Sequence, residues 1–192
     1  MNARRRKCVF LDRDGIVNKA PPANGYVTRW DDFHLFPEFA DVLRTVHDCG
    51  YAAVIVTNQR GVAQGLMTLV DVEEIHGNLR KLLSARYSLD LLDILFCPHE
   101  EGACECRKPA PGMLLEAARR HDIDLESSWM IGDSERDVAA GRAAGCRTIL
   151  VSAGKTAVEP DVRVKDMREL RSRMRELLTG LPRGSREAER GI

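Results

Sequence analysis

The chain predicts a layered α/β fold, and three features point to it. Short apolar runs of strand length recur along the sequence, helix-patterned stretches separate them, and 192 residues with 44% hydrophobic and 30% charged side chains suffice for one sizeable core. Chains of about 100–200 residues ordinarily bury a single core. Residues 1–178 are therefore expected to form one domain, with 179–192, rich in Arg, Glu and Gly, as a mobile tail.

The strand-like runs are Cys8 to Leu11, Ala52 to Val56, Leu91 to Phe96, Trp129 to Ile131 and Thr148 to Val151. They are nearly continuous in apolar residues, as strands covered on both faces must be. Helical patterning spans Phe39 to Asp48, Leu69 to Arg86, Gly112 to His121 and Ser134 to Ala144, the last stopped by Gly145. Strict alternation of the two implies βαβ units with right-handed crossovers, hence a parallel sheet with helices on both faces. Ligands of such sheets bind beyond the carboxyl ends of the strands, so residues at those ends are the first candidates for function.

Charge narrows the choice of ligand. Lys plus Arg and Asp plus Glu each number 29, so no overall field draws the chain to nucleic acid or to an acidic membrane, and any anion site must be local. The basic run Arg4 to Lys7 reads as a solvated terminus. No apolar run approaches the roughly 20 residues that span a bilayer, and Met1 to Lys7 lacks the length and cleavage pattern of a secretory signal. A cytoplasmic monomer is the expectation.

Three strand ends carry polar chemistry. The first runs into Asp12-Arg13-Asp14-Gly15, where two carboxylates two residues apart in extended chain point to one side. Another ends in Thr57-Asn58-Gln59, and a third in Gly132-Asp133-Ser134-Glu135-Arg136-Asp137. Such residues also cap helices and make turns, and for Asp137 alone a capping role competes. For the group the electrostatics decide: like charges about 4 Å apart repel by about 1 kcal/mol in water and about 4 kcal/mol at an effective dielectric of 20. A hard divalent cation with oxygen ligands removes that repulsion, so the cluster reads as a Mg²⁺ cradle. Lys108, fixed between a cysteine-rich loop and Pro109, supplies the complementary charge.

That loop carries its own signal. Cys97-Pro98-His99 and Cys104-Glu105-Cys106 place three thiols and one imidazole within ten positions. In a reducing compartment this reads as metal-binding sooner than as disulfides, and a Cys₃His set with every position filled by protein is a structural Zn²⁺ site. Zinc would then fix the angle at which Arg107 and Lys108 meet substrate. Cys8, Cys49 and Cys146 read as small core residues. His34, His47, His76 and His121 read as surface or helix-packing residues.

In chain order, Phe10-Leu11-Asp12-Arg13-Asp14-Gly15, Thr57-Asn58-Gln59-Arg60-Gly61, Lys108 and Gly132-Asp133 through Asp137 resemble the four motifs of the haloacid dehalogenase superfamily of phosphohydrolases. The resemblance covers nearly the whole chain. It implies a three-layer Rossmann-like fold without a separate cap domain. By the same carry-over Asp12 is the nucleophile and Asp14 the general acid and base; Thr57 and Lys108 hold the phosphoryl group; Asp12, Asp14 and Asp133 carry Mg²⁺, with Asp137 in support. An aspartyl-phosphate splits one hard displacement into two easier ones, and a placed acid or base contributes roughly 10²- to 10⁴-fold. Asp14 favours phosphate esters over dehalogenation or phosphonate cleavage.

With the zinc loop, these motifs resemble a branch that holds the D-glycero-D-manno-heptose 1,7-bisphosphate 7-phosphatases and the histidinol-phosphatases. Arg13, Asn18, Asn24, Gly25, Tyr26, Asn58, Gln59, Arg60 and Arg107 match positions where the branch contacts its small phosphorylated substrate, and the planar fork of Arg107 suits a second phosphate. The Pro21-Pro22 insertion, Gln64 and Ser134 depart from the branch pattern. The single-domain form and Gly25-Tyr26-Val27 favour heptose bisphosphate, cleaved at the 7-phosphate, with histidinol phosphate as the alternative. A non-catalytic phosphate-ligand module fits the complete motif set less well, and a phosphomutase would need a cap to exclude water.

Overall fold

The apolar runs pair side by side as parallel strands. In the computed structural model, which describes residues 5–21, 25–154 and 156–180, β1 (Cys8–Leu11), β2 (Ala52–Asn58), β3 (Asp93–Cys97), β4 (Trp129–Gly132), β5 (Arg147–Val151) and β6 (Val162–Val164) form one six-stranded sheet in the order β3-β2-β1-β4-β5-β6. Every pairing is parallel. Helices α1 (Phe39–Asp48), α2 (Leu69–Leu82), α3 (Gly112–His121), α4 (Glu135–Ala143) and α5 (Met167–Thr179) connect and cover the strands. The expected helix through Arg86 is α2 continued by a π-helical turn, Leu83–Tyr87.

Strand alternation sorts the core into two layers. Val9, Leu11, Ala53 and Ile55 face α1, α2 and α5, whereas Cys8, Phe10, Val54 and Val56 face α3 and α4. Each fully buried aliphatic or aromatic side chain contributes about 1.5–3 kcal/mol relative to exposure, so helices are held on both faces and the architecture is the expected three-layer α/β sandwich. Cys8 and Cys146 lie in the core as expected, and Cys49 packs half-buried against it.

Two elements exceed the sequence expectation. Strand β6 has only three residues, too few to show a period. Helix α5 does carry a signal, because its buried Met167, Leu170, Met174 and Leu177 recur every three or four residues behind the N-cap Asp166. It reaches Thr179, the first residue of the stretch expected as a tail; residues 181–192 lie outside the described residues. No helix among the described residues is long and apolar enough to cross a membrane.

The strand order places function. From β1 the chain winds outward through β2 to β3, then returns to lay β4 on the other side of β1. The loops leaving β1 and β4 therefore diverge, and the crevice between them is the usual ligand position in a doubly wound sheet. Asp12 and Asp133 stand at its two lips.

Candidate active site

Two glycines let the strand tips close on one another. The Asp12 amide donates to the Ile131 carbonyl at 2.9 Å, keeping the chain beside β4 for one residue beyond β1. The backbone then turns at Gly15, whose φ of +98° suits only glycine, and a Cβ there would lie 2.0 Å from Asp133 Oδ2. A Cβ on Gly132 would lie 2.2 Å from that of Asp137. Both absences of a side chain draw carboxylates inward, and oxygens of Asp12, Asp133 and Asp137 lie within 4.8 Å of one another. An open cleft of about 220 Å³ lies over them. Of the residues expected from sequence, Asp12, Asp14, Thr57, Asn58, Lys108, Asp133 and Asp137 line it. Ser134 and Arg136 join them unexpectedly, being the cap and first turn of α4 that the Asp133 motif runs into.

Lys108 ties the cluster together. Its ammonium has three protons, and they go to Asp12 Oδ1 at 2.7 Å, Asp137 Oδ1 at 2.6 Å and the Val56 carbonyl at 2.8 Å. Burial opposes the charge, but attraction to Asp12 and Asp137 outweighs it and holds Lys108 above the ordinary lysine range. Burial also raises Asp12 to about 7, opposed by Lys108 and reinforced by Asp137. Asp133 rises to about 6 through burial and Asp137. Asp137 in turn accepts from the Ser134 amide and hydroxyl at 3.1 and 2.6 Å, so it is both helix cap and lysine partner. Carboxylates this crowded and this hard to ionise form a fitting oxygen donor set for Mg²⁺.

Asp14 is held differently. Arg13 spans both of its oxygens, with Nη2 at 3.0 and 3.1 Å and Nε at 3.3 Å; Asn18 Nδ2 donates at 2.9 Å and Gln59 Nε2 at 3.1 Å. Gln59 also donates to Thr57 Oγ1 at 2.9 Å. These contacts engage several of the residues expected at the site. Arg13, Asn18 and Gln59, expected among substrate contacts, are 0%, 0% and 1% exposed and face Asp14 instead. The Asn58 amide is committed to the Lys108 backbone, accepting from its N–H at 3.0 Å and donating to its carbonyl at 2.9 Å. The oxygens of Asp14 are turned to those donors, while the carboxylates of Asp12, Asp133 and Asp137 are the ones that cluster within 4.8 Å. Behind Arg13 lies His76, buried and pushed down to about 3 by desolvation and by the arginine's charge. Sequence reasoning gave His76 only a packing role; nothing in its neighbours Ile75 and Gly77 marks a polar partner.

Loops frame the mouth. Gly25 is exposed and Tyr26 half-buried; the Tyr26 ring lies so close to Gly61 that a Cβ there would come within 3.1 Å of it. Arg60 pairs with Glu100 at 3.1 Å, linking the loop after β2 to the cysteine loop. With its amide oriented to satisfy both neighbours, Gln64 accepts from Arg60 Nε at 2.8 Å and donates to the Tyr26 hydroxyl at 3.1 Å. Arg107 is mostly buried and donates from Nη1 to the His99 carbonyl at 3.4 Å. Asn24 lies outside the described residues.

The cysteine loop closes on itself. Cys97 and Cys104 sulfurs are 3.4 Å apart, Cys104 and Cys106 3.2 Å, and His99 Nδ1 lies 3.6 and 3.5 Å from Cys97 and Cys106. Zn–S bonds of about 2.3 Å and a Zn–N bond of about 2.0–2.1 Å in a tetrahedron require edges of roughly 3.6–3.8 Å. The four donors fit such an ion after adjustments of up to about 0.6 Å.

Comparisons with known proteins agree with this geometry. The family model described as "HAD-hyrolase-like" matches residues 105–170. The D-glycero-beta-D-manno-heptose-1,7-bisphosphate 7-phosphatase of Helicobacter pylori is 37% identical over 85% of this chain and 95% of its own. A protein of the same name from Yersinia pestis is 41% identical over 77% of this chain and 81% of its own. Among solved structures, D,D-heptose 1,7-bisphosphate phosphatase from B. bronchiseptica, complexed with magnesium and phosphate, superposes with a TM-score of 0.78 at 32% identity, covering 88% of this chain and 97% of that one. Likeness of this degree and coverage, on top of the gathered strand-tip residues, settles the classification: the chain belongs to the haloacid dehalogenase superfamily, in the family of the D-glycero-D-manno-heptose-1,7-bisphosphate 7-phosphatases.

Proposed function

We propose that this protein hydrolyses D-glycero-D-manno-heptose 1,7-bisphosphate at its 7-phosphate through a phosphorylated Asp12. The observation that carries the chemistry is the meeting in one cleft of Asp12, Thr57 and Asp133 from three strand ends and Lys108 from the loop before α3, with Asp14 beside them. The sugar is taken from the relatives, which share that name over most of their length.

In the first step an Asp12 oxygen attacks phosphorus and the bond to the sugar oxygen breaks, while Asp14 gives that oxygen a proton so that it leaves as an alcohol. In the second, water attacks the aspartyl-phosphate, Asp14 takes its proton, and the bond between phosphorus and Asp12 breaks to release inorganic phosphate. Thr57 and Lys108 hold the phosphoryl oxygens, and Lys108 already touches the nucleophile. Asp12, Asp14 and Asp133, with Asp137 beside them, would hold Mg²⁺, which would neutralise charge building on the transferring group. Cys97, His99, Cys104 and Cys106 would hold a structural Zn²⁺ that fixes Arg107 and Lys108. Tyr26, Arg60 and Arg107, with Gly25 and Asn24, are proposed to border the rest of the substrate. Every group the reaction needs comes from one chain, in keeping with a cytoplasmic monomer.

The test is phosphate release with Mg²⁺ from heptose 1,7-bisphosphate against histidinol phosphate, with the remaining sugar phosphate identified. Catalytic efficiency at least tenfold higher on the heptose, leaving the 1-phosphate, supports the reading. Preference for histidinol phosphate would overturn it.

A further inference from the structure

The buried histidine behind the acid–base group plays no part in phosphoryl transfer as described. His76 belongs to α2 and does not line the cleft. Its ring stands edge-on to Phe96, with centroids 5.6 Å apart and planes at 64°. Its Nε2 faces Arg13 Nη1 at 3.4 Å, across 63 residues of sequence. A guanidinium can only donate, so His76 accepts here and carries its own proton on Nδ1. The other edge of Arg13 spans both oxygens of Asp14.

We propose that His76 is a positioning residue for Asp14, acting through Arg13: the imidazole fixes the plane of the guanidinium, and the guanidinium fixes the rotation of the carboxylate. This rests on the reading of Asp14 as general acid and base.

Two observations support the arrangement. Arg13 is fully buried, and its planar fork transmits orientation in a way that a point charge cannot. Asn18 and Gln59 complete the clamp at a loss to themselves, since both turn their amide N–H groups to Asp14 and leave Asn18 Oδ1 and Gln59 Oε1 buried without a partner among the described residues. Unmade buried hydrogen bonds are rare in native proteins and call for an explanation. Here the explanation is that three side chains, Arg13, Asn18 and Gln59, converge to hold one carboxylate at one angle. A neutral imidazole completes the set without competing for the charge of Arg13.

The experiment compares leaving groups. A sugar oxygen leaves poorly without a proton from Asp14, whereas p-nitrophenolate leaves unaided. Since kcat/KM reports events through the first phosphoryl transfer, the ratio of kcat/KM on the sugar phosphate to that on p-nitrophenyl phosphate measures acid assistance. Asp14→Asn sets the full size of the drop. His76→Leu, which deletes the acceptor, is expected to lower the ratio by about 10- to 100-fold, the effect of a small misplacement of a catalytic group. His76→Gln, which keeps an acceptor near the position of Nε2, should recover most of that loss. Should the Leu variant not fold, His76→Phe fills the space against Phe96 without an acceptor and is read in the same way. Equal losses on both substrates, or Gln no better than Leu or Phe, would overturn the role of His76 alone. An unchanged ratio in Asp14→Asn removes the proposal together with the acid–base reading beneath it.

Discussion

The two clusters suited to a cation are built on opposite plans. The cysteine loop takes all four donors from ten consecutive residues, with its sulfurs and Nδ1 already 3.2–3.6 Å apart. The acidic cluster takes Asp12 from the end of β1 and Asp133 and Asp137 from the far side of the chevron of loops, and it holds them against their mutual repulsion with Lys108. A tetrahedral ion in the first would find all four positions taken by protein, so its binding energy would go into holding the loop. A Mg²⁺ ion in the second would leave room for phosphate oxygen and water. One plan yields a strut and the other a reaction centre, and substitutions in each should separate stability from turnover.

The largest separation comes from the nucleophile. Asp12→Asn should reduce kcat by at least about 10⁴-fold, as loss of a nucleophile generally does. It should not lower the melting temperature, because Asp12 is largely buried, difficult to ionise, and leaves Lys108 still paired to Asp137. Cys104→Ser should show the reverse. Loss of one of four zinc ligands should lower the melting temperature by about 5 °C or more, and KM should rise severalfold with kcat less affected, because Arg107 and Lys108 follow directly on Cys106. Phosphate-release assays and thermal melts on both variants decide the matter. An Asp12→Asn protein that unfolds, or a Cys104→Ser protein unchanged in both readouts, would erase the division.

Gly15→Ala probes the acidic cluster more gently. The new Cβ meets Asp133 Oδ2 at 2.0 Å in a left-handed conformation, so backbone strain of about 1–3 kcal/mol is expected, together with displacement of a Mg²⁺ ligand. The half-saturating Mg²⁺ concentration should rise about tenfold, in the range seen when the support of a metal ligand is lost. A Mg²⁺ titration of activity with a denaturant melt reads both effects. No change in Mg²⁺ dependence would mean that Asp133 is not part of the cradle.

The two plans also explain how much was legible in the sequence. Cys97, His99, Cys104 and Cys106 could be read directly, because a site within one loop depends on spacing alone. Asp12 and Asp133 could be read once the strand–helix alternation placed them at strand ends, since a parallel sheet gathers those ends regardless of their separation in the chain; Lys108 could be read from its place between the cysteine loop and Pro109. Arg13, Asn18, Gln59 and Asn58 were drawn to the substrate by their neighbours in sequence. The burial of Arg13, Asn18 and Gln59 is set by the way the loops pack against α2 and β3, which no local pattern encodes. His76 was least visible of all: its partner is 63 residues away, and a histidine on a mixed helix face has no periodic signature of that contact. Strand β6 escaped for a simpler reason, three residues being too few to show a period.

The smallest expected effect concerns protons at the acidic cluster. Without a cation, burial and neighbouring carboxylates raise Asp12 to about 7 and Asp133 to about 6, against roughly 3.9 in an unfolded chain. Between about pH 4 and pH 7 the folded protein therefore binds more protons than the unfolded one. Stability from these groups is fully present below about pH 4 and declines as pH rises through the folded-state values. Magnesium needs both groups ionised, so its binding expels protons in that window. Its affinity should fall by about twofold from pH 8 to pH 7, then approach about tenfold per pH unit for each displaced proton below pH 6. Calorimetric titration with Mg²⁺ in two buffers of different ionisation enthalpy measures the protons released, and Asp12→Asn should release fewer. Affinity that stays flat from pH 5.5 to 8 would mean that the carboxylates are already ionised before the ion arrives, and that Lys108 alone balances their charge.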